Sequence, residues 1–229
     1  MACANANHRC RFAAPSGFEE SAASHADKGQ RDRRRCRRVA RGLTKLRGPL
    51  GRIAYVSIVG VAGASDYVVQ FNTRTFEETG RAAVGKDPHL SIPLVNNYLY
   101  VPCQNSDEVY VLNRFNMELV KTISVPGAHG AIMTTNGKVF YTTNLPGGGT
   151  NGIFAINTKN NSVLGSTNTP YPVPHNVTVN KSSKKLYLTH SGGTSDKVTV
   201  YRISNGNPVP QFLKEITVEL NPFGLAYAK

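Results

Sequence analysis

The 229-residue chain is short of acidic residues, cysteine and long apolar runs, and it has no tryptophan. Its best apolar stretch, Ile53 to Ala64, falls well below the ~20 residues that a membrane-crossing helix needs, so no membrane span is expected. Arg52 before that stretch and Ala62-Gly-Ala64 at its end imitate a secretory leader. Its distance from Met1 and its fit to the strand pattern described below argue against one. The four cysteines do not build a disulfide framework: Cys3, Cys10 and Cys36 lie near the N-terminus, Cys103 stands alone in the body, and no Cys-x-x-Cys pair offers a metal clamp. No Ser-His-Asp order, phosphate loop or paired-glutamate signal appears, so hydrolytic chemistry is not indicated.

The scarcity of acid is unevenly spread. The chain has 27 Lys and Arg against 14 Asp and Glu, a formal charge of +13, but residues 1–52 alone account for +9 and residues 53–229 for +4. A nucleic-acid footprint would need a basic face on the fold itself, so nucleic acid is expected to engage only the tail. Residues 1–50, with the block Arg31-Asp-Arg-Arg-Arg-Cys-Arg-Arg38, have almost no periodic apolar pattern and are expected to form a disordered low-complexity tail. A transit peptide, a nuclear or nucleic-acid-binding arm and a vestigial leader are its competing readings.

From residue 51 onward the chain is built of one repeated unit. Residues 85–125 hold four short β-branched or aromatic runs, Leu90 to Val95, Tyr98 to Cys103, Val109 to Asn113 and Leu119 to Val125, each bounded by turn residues. Residues 126–168 and 169–218 repeat the pattern. His89, His129 and His175 step by 40 and 46 residues, and Tyr100, Tyr141 and Tyr187 by 41 and 46. Four strands at that period predict a β-propeller blade. A further blade is expected to be split between the chain ends: residues 51–84 match strands two to four, and Asn221 to Lys229 matches a first strand, so the two would pair and close a ring. The expected fold is therefore all-β, a propeller of about four four-stranded blades, either a small closed ring or part of a larger one.

Tyr100-Val-Pro-Cys103, Tyr141-Thr-Thr-Asn144 and Tyr187-Leu-Thr-His190, each preceded by a Gly-Lys-like turn and a Pro-His-like lead-in, resemble the YVTN-type propeller repeat across the whole body. With no tryptophan, a WD-type propeller is not the nearest kin. The YVTN resemblance implies a fold shared by lactonases, electron-transfer enzymes, surface proteins and interaction scaffolds, so function must be argued from the site.

His89, His129 and His175 precede the innermost strand of successive blades and Phe223 takes the same place in the last copy, so the imidazoles are expected to converge at the channel mouth. Three neutral imidazoles are a ligand set for zinc, copper or iron, and His190 and Cys103, at the ends of second strands, could complete it. The pattern also resembles the propeller domain of nitrous oxide reductase, though without its full histidine set. Asp66, Asp107 and Asp196 precede third strands and read as turn closers. Asn176-Val-Thr178, Asn180-Lys-Ser182 and Asn160-Asn-Ser162 are glycosylation sequons, informative only in a secreted setting. The leading reading is a non-enzymatic propeller scaffold binding a small molecule, a protein or a transition metal at this mouth, with a second copy as partner where the ring is incomplete. The alternative is a metal-dependent oxidoreductase fragment.

Overall fold

The structure, a computed structural model, describes residues 46–47, 52–63, 65–89, 96–145 and 152–228. The expected tail, apart from residues 46–47, and the expected strand Leu90 to Val95 lie outside the described residues. Within them the chain forms four antiparallel sheets. The first holds β1 (Leu46–Arg47), β2 (Ile53–Ile58), β3 (Asp66–Asn72) and β4 (Glu78–Val84); the second holds β5 (Tyr98–Cys103), β6 (Glu108–Asn113) and β7 (Leu119–Ser124). The third holds β8 (Ala128–Met133), β9 (Val139–Asn144), β10 (Gly152–Asn157) and β11 (Ser162–Asn168). The fourth holds β12 (Pro174–Val179), β13 (Lys185–His190), β14 (Lys197–Arg202) and β15 (Gln211–Thr217). No helix longer than the 3-10 turn Gln104–Ser106 occurs among the described residues, and none of their helices could cross a membrane.

The sheets form an open array, and the split blade expected from the sequence is not what closes its first sheet. The inner place there belongs to β1, which pairs Leu46 with Tyr55 and Arg47 with Ala54. That is the register of Ile132 on Tyr141 and Thr178 on Tyr187 in later sheets. Residues 221–228 form no strand. Repeat matching showed that this segment is shaped as an inner strand but could not show which sheet holds it; a local segment reaches the β2 edge without closing a ring.

Alternation of apolar residues gives the two middle sheets a core on both faces and each end sheet a core on one, and the core is three clusters between successive sheets. Tyr55, Val68, Leu99 and Val101 fill the first; Tyr100, Val111, Phe140 and Ile156 the second; Tyr141, Ile153, Leu186 and Leu188 the third. Each fully buried leucine contributes roughly 1.5–3 kcal/mol over its exposed state. The repeated tyrosine of the second strand also ties sheet to sheet. The hydroxyl of Tyr55 donates to the Arg114 carbonyl, that of Tyr100 to Asn161 Oδ1 at 2.6 Å and that of Tyr141 to the Pro208 carbonyl at 2.7 Å. All three acceptors lie in the turn between third and fourth strands of the following sheet, so a buried phenol finds the partner it needs.

Those turns share a backbone. Asn72, Asn113 and Asn157 each accept a main-chain N–H two residues on, and Phe76, Met117 and Asn161, four residues on, have φ of 59°, 62° and 54°.

Candidate functional site: a row of rings at the inner edge

The inner strands begin in one register. Pro88 pairs with Cys103, Ala128 with Asn144 and Pro174 with His190. In the third and fourth sheets the pairing then slips, between Ala128 and Ala131 and between Pro174 and Val177, with one extra residue on the inner strand. Such bulges re-aim side chains. Here they hold His129 and His175, and the rings of successive sheets meet: His89 to His129 at 3.8 Å between centroids, His129 to His175 at 4.5 Å, and His175 to Phe223 at 3.9 Å, all tilted. His129 and His175 are 8% and 7% exposed, whereas Phe223 at the far end is 59% exposed.

Residues that sequence reasoning treated as turn closers hold this row in place. Asp66 Oδ2 accepts the backbone N–H of Asp87 at 2.9 Å, and Asp107 Oδ1 accepts that of Gly127 at 2.7 Å; both N–H groups lie two residues before a row histidine. Two threonines tie an inner strand to the segment that follows it around the array: Thr143 joins the third sheet to the fourth, and Thr189 joins the fourth sheet to the C-terminal segment. Thr143 Oγ1 accepts from Gly130 N and donates to the His175 carbonyl at 3.0 Å. Thr189 Oγ1 repeats this, accepting from Asn176 N and donating to the Phe223 carbonyl at 3.2 Å. Pro102 stands at the same place in the second sheet and has no hydroxyl to offer.

The hydrogen bonds set the ring tautomers. His129 Nδ1 donates to Gln104 Oε1 at 3.0 Å, which leaves Nε2 with its lone pair. Asn176 Nδ2 lies 2.7 Å from the Phe223 carbonyl, which fixes the amide orientation, and 2.8 Å from His175 Nδ1, which accepts; the proton of a neutral His175 then sits on Nε2. Among the described residues His89 Nε2 is enclosed without a hydrogen-bond partner, 3.8 Å from Asp87 Oδ1. Burial, reinforced by the neighbouring imidazoles, pushes the His129 pKa down to about 3. Burial and the charge His89 would carry lower that of His175. The His89 imidazole beside Asp87, outweighing burial, holds that carboxyl below its ordinary value. The row is therefore neutral near pH 7 at its centre, with one carboxylate at its His89 end.

His190 and Cys103 are used otherwise. His190 is fully buried, with Nδ1 3.0 Å from the Pro172 carbonyl and Nε2 2.8 Å from Thr199 Oγ1, so both nitrogens are engaged. Cys103 is also fully buried, its Sγ 3.5 Å from the Val101 carbonyl, and burial pushes the thiol far above its ordinary range. Among the described residues no three His, Cys, Asp or Glu side chains are grouped so as to hold a metal ion. The structure thus gathers His89, His129 and His175, adds Phe223 to them, and sets Cys103 and His190 to packing and hydrogen bonding. The bulges and the threonine links depend on which strands pair, and single-chain periodicity does not report that.

One glycine lies at the seam. A Cβ on Gly130 would stand 2.2 Å from the His175 carbonyl oxygen, a backbone atom that cannot turn aside. Gly130→Ala is expected to lower stability by about 1–3 kcal/mol. The His129 and His175 ring protons, followed by NMR, are expected to lose their mutual shielding. Unchanged shifts would show that the inner strands part more easily than the contact implies.

Four antiparallel sheets side by side with a ring row along their inner strands define a protein of the β-propeller class, here as an open array. No family model and no curated protein matches the chain. Solved structures do. The chain is similar to hydrazine synthase of Kuenenia stuttgartiensis (22% identity, TM-score 0.65, covering 75% of this chain and 47% of that one). It is also similar to the periplasmic gluconolactonase of Pseudomonas aeruginosa (14%, 0.63, 80% and 55%) and to a functionally unknown protein of Desulfotomaculum acetoxidans (13%, 0.62, 78% and 58%). The chain spans about half the length of these neighbours, and at such identities the likeness shows the fold.

Proposed function

We propose that the chain is a non-enzymatic β-propeller scaffold of the YVTN type that binds a small planar ligand bearing N–H donors at the His89 end of the ring row. The observation that carries this is His89 itself: it opens a row of stacked rings, its enclosed Nε2 has no hydrogen-bond partner among the described residues, and a carboxylate kept ionised lies beside it. A flat group would extend the stack, and its N–H groups would meet Asp87. Benzamidine has both features. Isothermal titration of the full chain with benzamidine is expected to show saturable binding that His89→Ala or Asp87→Asn weakens at least tenfold, while glucono-1,5-lactone is hydrolysed no faster than in buffer. Equal binding by both variants would overturn the site, and catalysed hydrolysis would overturn the non-enzymatic reading.

The second reading is a metal-dependent oxidoreductase fragment holding copper, zinc or iron. The lone pair on His129 Nε2 favours it, but a neutral His175 offers a hydrogen at Nε2, His190 would have to surrender two hydrogen bonds, and the Cys103 thiol resists ionisation. Equilibrium dialysis against each metal separates the readings: stoichiometric retention lost on joint replacement of His89, His129 and His175 by alanine would install the metal.

A further inference from the structure

The sequence holds three Asn-Gly pairs, Asn136-Gly137, Asn151-Gly152 and Asn205-Gly206. In such a pair a backbone nitrogen reaches the side-chain amide carbon most freely, because glycine puts no Cβ in the way. The sequence treats the three alike. What separates them is how each glycine nitrogen is engaged.

Two of the three nitrogens are occupied. Gly137 N donates to the Thr134 carbonyl at 2.8 Å in the turn between β8 and β9. Asn136 is pinned as well: its Oδ1 accepts from Thr134 Oγ1 at 2.8 Å and from Lys138 N at 3.1 Å. Gly152 is buried at the start of β10, and its N donates to Asn144 Oδ1. Gly206 differs. It lies in the exposed turn between β14 and β15, no hydrogen bond engages its nitrogen among the described residues, and a Cβ placed on it would meet nothing within 4 Å. Ser204 and Asn207 close the turn around it, Ser204 N donating to the Asn207 carbonyl and Asn207 N to Ser204 Oγ, both at 3.0 Å. The Asn205 side chain meets Asn136, whose Nδ2 donates to Asn205 Oδ1 at 3.2 Å. Lys138 N on the Asn136 oxygen sets that orientation, so a donor stands where negative charge would build on the Asn205 amide oxygen.

We infer that Asn205 is a modification site, at which the side-chain amide is exchanged for a carboxylate by water without an enzyme. The Gly206 nitrogen gives up its proton and bonds to Asn205 Cγ; the Cγ–Nδ2 bond breaks, and ammonia leaves with a proton in place of the lost bond, closing a succinimide ring. Water then opens the ring. Attack at the side-chain carbonyl gives aspartate, and attack at the main-chain carbonyl gives isoaspartate, in which the chain runs through the former side chain. No electrons change hands, and water is the co-reactant. Either product sets a carboxylate against Asn136 across the seam between the third and fourth sheets. The isoaspartate also lengthens the backbone of the turn whose Pro208 carbonyl accepts from the Tyr141 hydroxyl.

The test keeps the full chain folded for days at mildly alkaline pH, then cuts it with trypsin, which puts the three pairs on separate peptides, residues 122–138, 139–159 and 203–214. In the last of these Asn207 precedes Pro208, which has no N–H to attack with. The mass gain of an NH2 replaced by an OH is expected to enter the 203–214 peptide roughly tenfold faster than the other two, whose glycine nitrogens are free only when the structure opens. In urea, where none of the three is held, the rates are expected to converge. Gly206→Ala fits the open space and needs no left-handed φ, but it narrows the backbone freedom that ring closure uses. It is expected to slow the folded-state conversion several-fold and to leave the other peptides unchanged. A 203–214 peptide that converts no faster than the other two, or a conversion indifferent to Gly206→Ala, would overturn the inference.

Discussion

Asp66→Ala is expected to cost about 3 kcal/mol of folding stability, read as a lower urea midpoint at unchanged slope. The carboxylate is 1% exposed and makes three hydrogen bonds: to Val61 N at 3.0 Å, to Lys86 Nζ at 2.8 Å and to Asp87 N at 2.9 Å. Alanine removes all three and leaves a partly buried ammonium facing an empty place. Burial alone would raise this carboxyl pKa, but the hydrogen bonds from Lys86, Asp87 and Val61 outweigh it and hold the group below its ordinary value. A depressed folded pKa stabilises above the unfolded value of about 4, and that stability is lost as pH falls through the folded value. The wild type should therefore weaken below about pH 4 and the variant should show a flatter acid limb. Because Asp66 holds Asp87, the variant should also broaden the His89 ring signals. A loss under 1 kcal/mol would mean that water replaces the carboxylate at little cost.

Acid should begin to act well before that, through the ring row. His129, His175 and His190 all have pKa values lowered chiefly by burial, His129 to about 3. Below about pH 6.5 the unfolded chain takes up protons that the folded chain refuses, so stability falls as pH drops from there toward the folded values. For His129 alone the loss between pH 7 and pH 5 is about 2 kcal/mol. The groups facing it are His89 and His175 on either side, Asp87, and Gln104, which accepts from its Nδ1. His129→Phe keeps a ring in the stack, as Phe223 does naturally, and removes the titration. Its thermal midpoint is expected to change less between pH 7 and pH 5 than that of the wild type. Equal slopes would mean that His129 takes up a proton in place.

Much of the fold was legible because blade strands announce themselves twice, by alternation and by repetition. Tyr98–Cys103 and Lys185–His190 form strands with the bounds the sequence suggested. The neighbourhood of His89, His129 and His175 was legible for the same reason, since equal places in repeated units end near one another. What was hidden depends on partners. Nothing in the composition around His190 shows that its two nitrogens meet Thr199 of its own sheet and the Pro172 carbonyl in the lead-in to β12. Asp66 and Asp107 read as local turn residues, yet each reaches about 20 residues along the chain to the lead-in of the next inner strand. The C-terminal segment matches an inner strand in shape, but the repeat does not name the edge it covers, and Leu46 and Arg47 hold the place opposite Tyr55 and Ala54.

The three asparagine turns carry a lesson about how such chains diverge. A phenylalanine, a methionine and an asparagine share one left-handed backbone there, although only the last is at ease in it. Duplication has handed down a set of torsion angles while letting the chemistry on top of them drift, so kinship among these units is better preserved in the path of the main chain than in the letters that encode it.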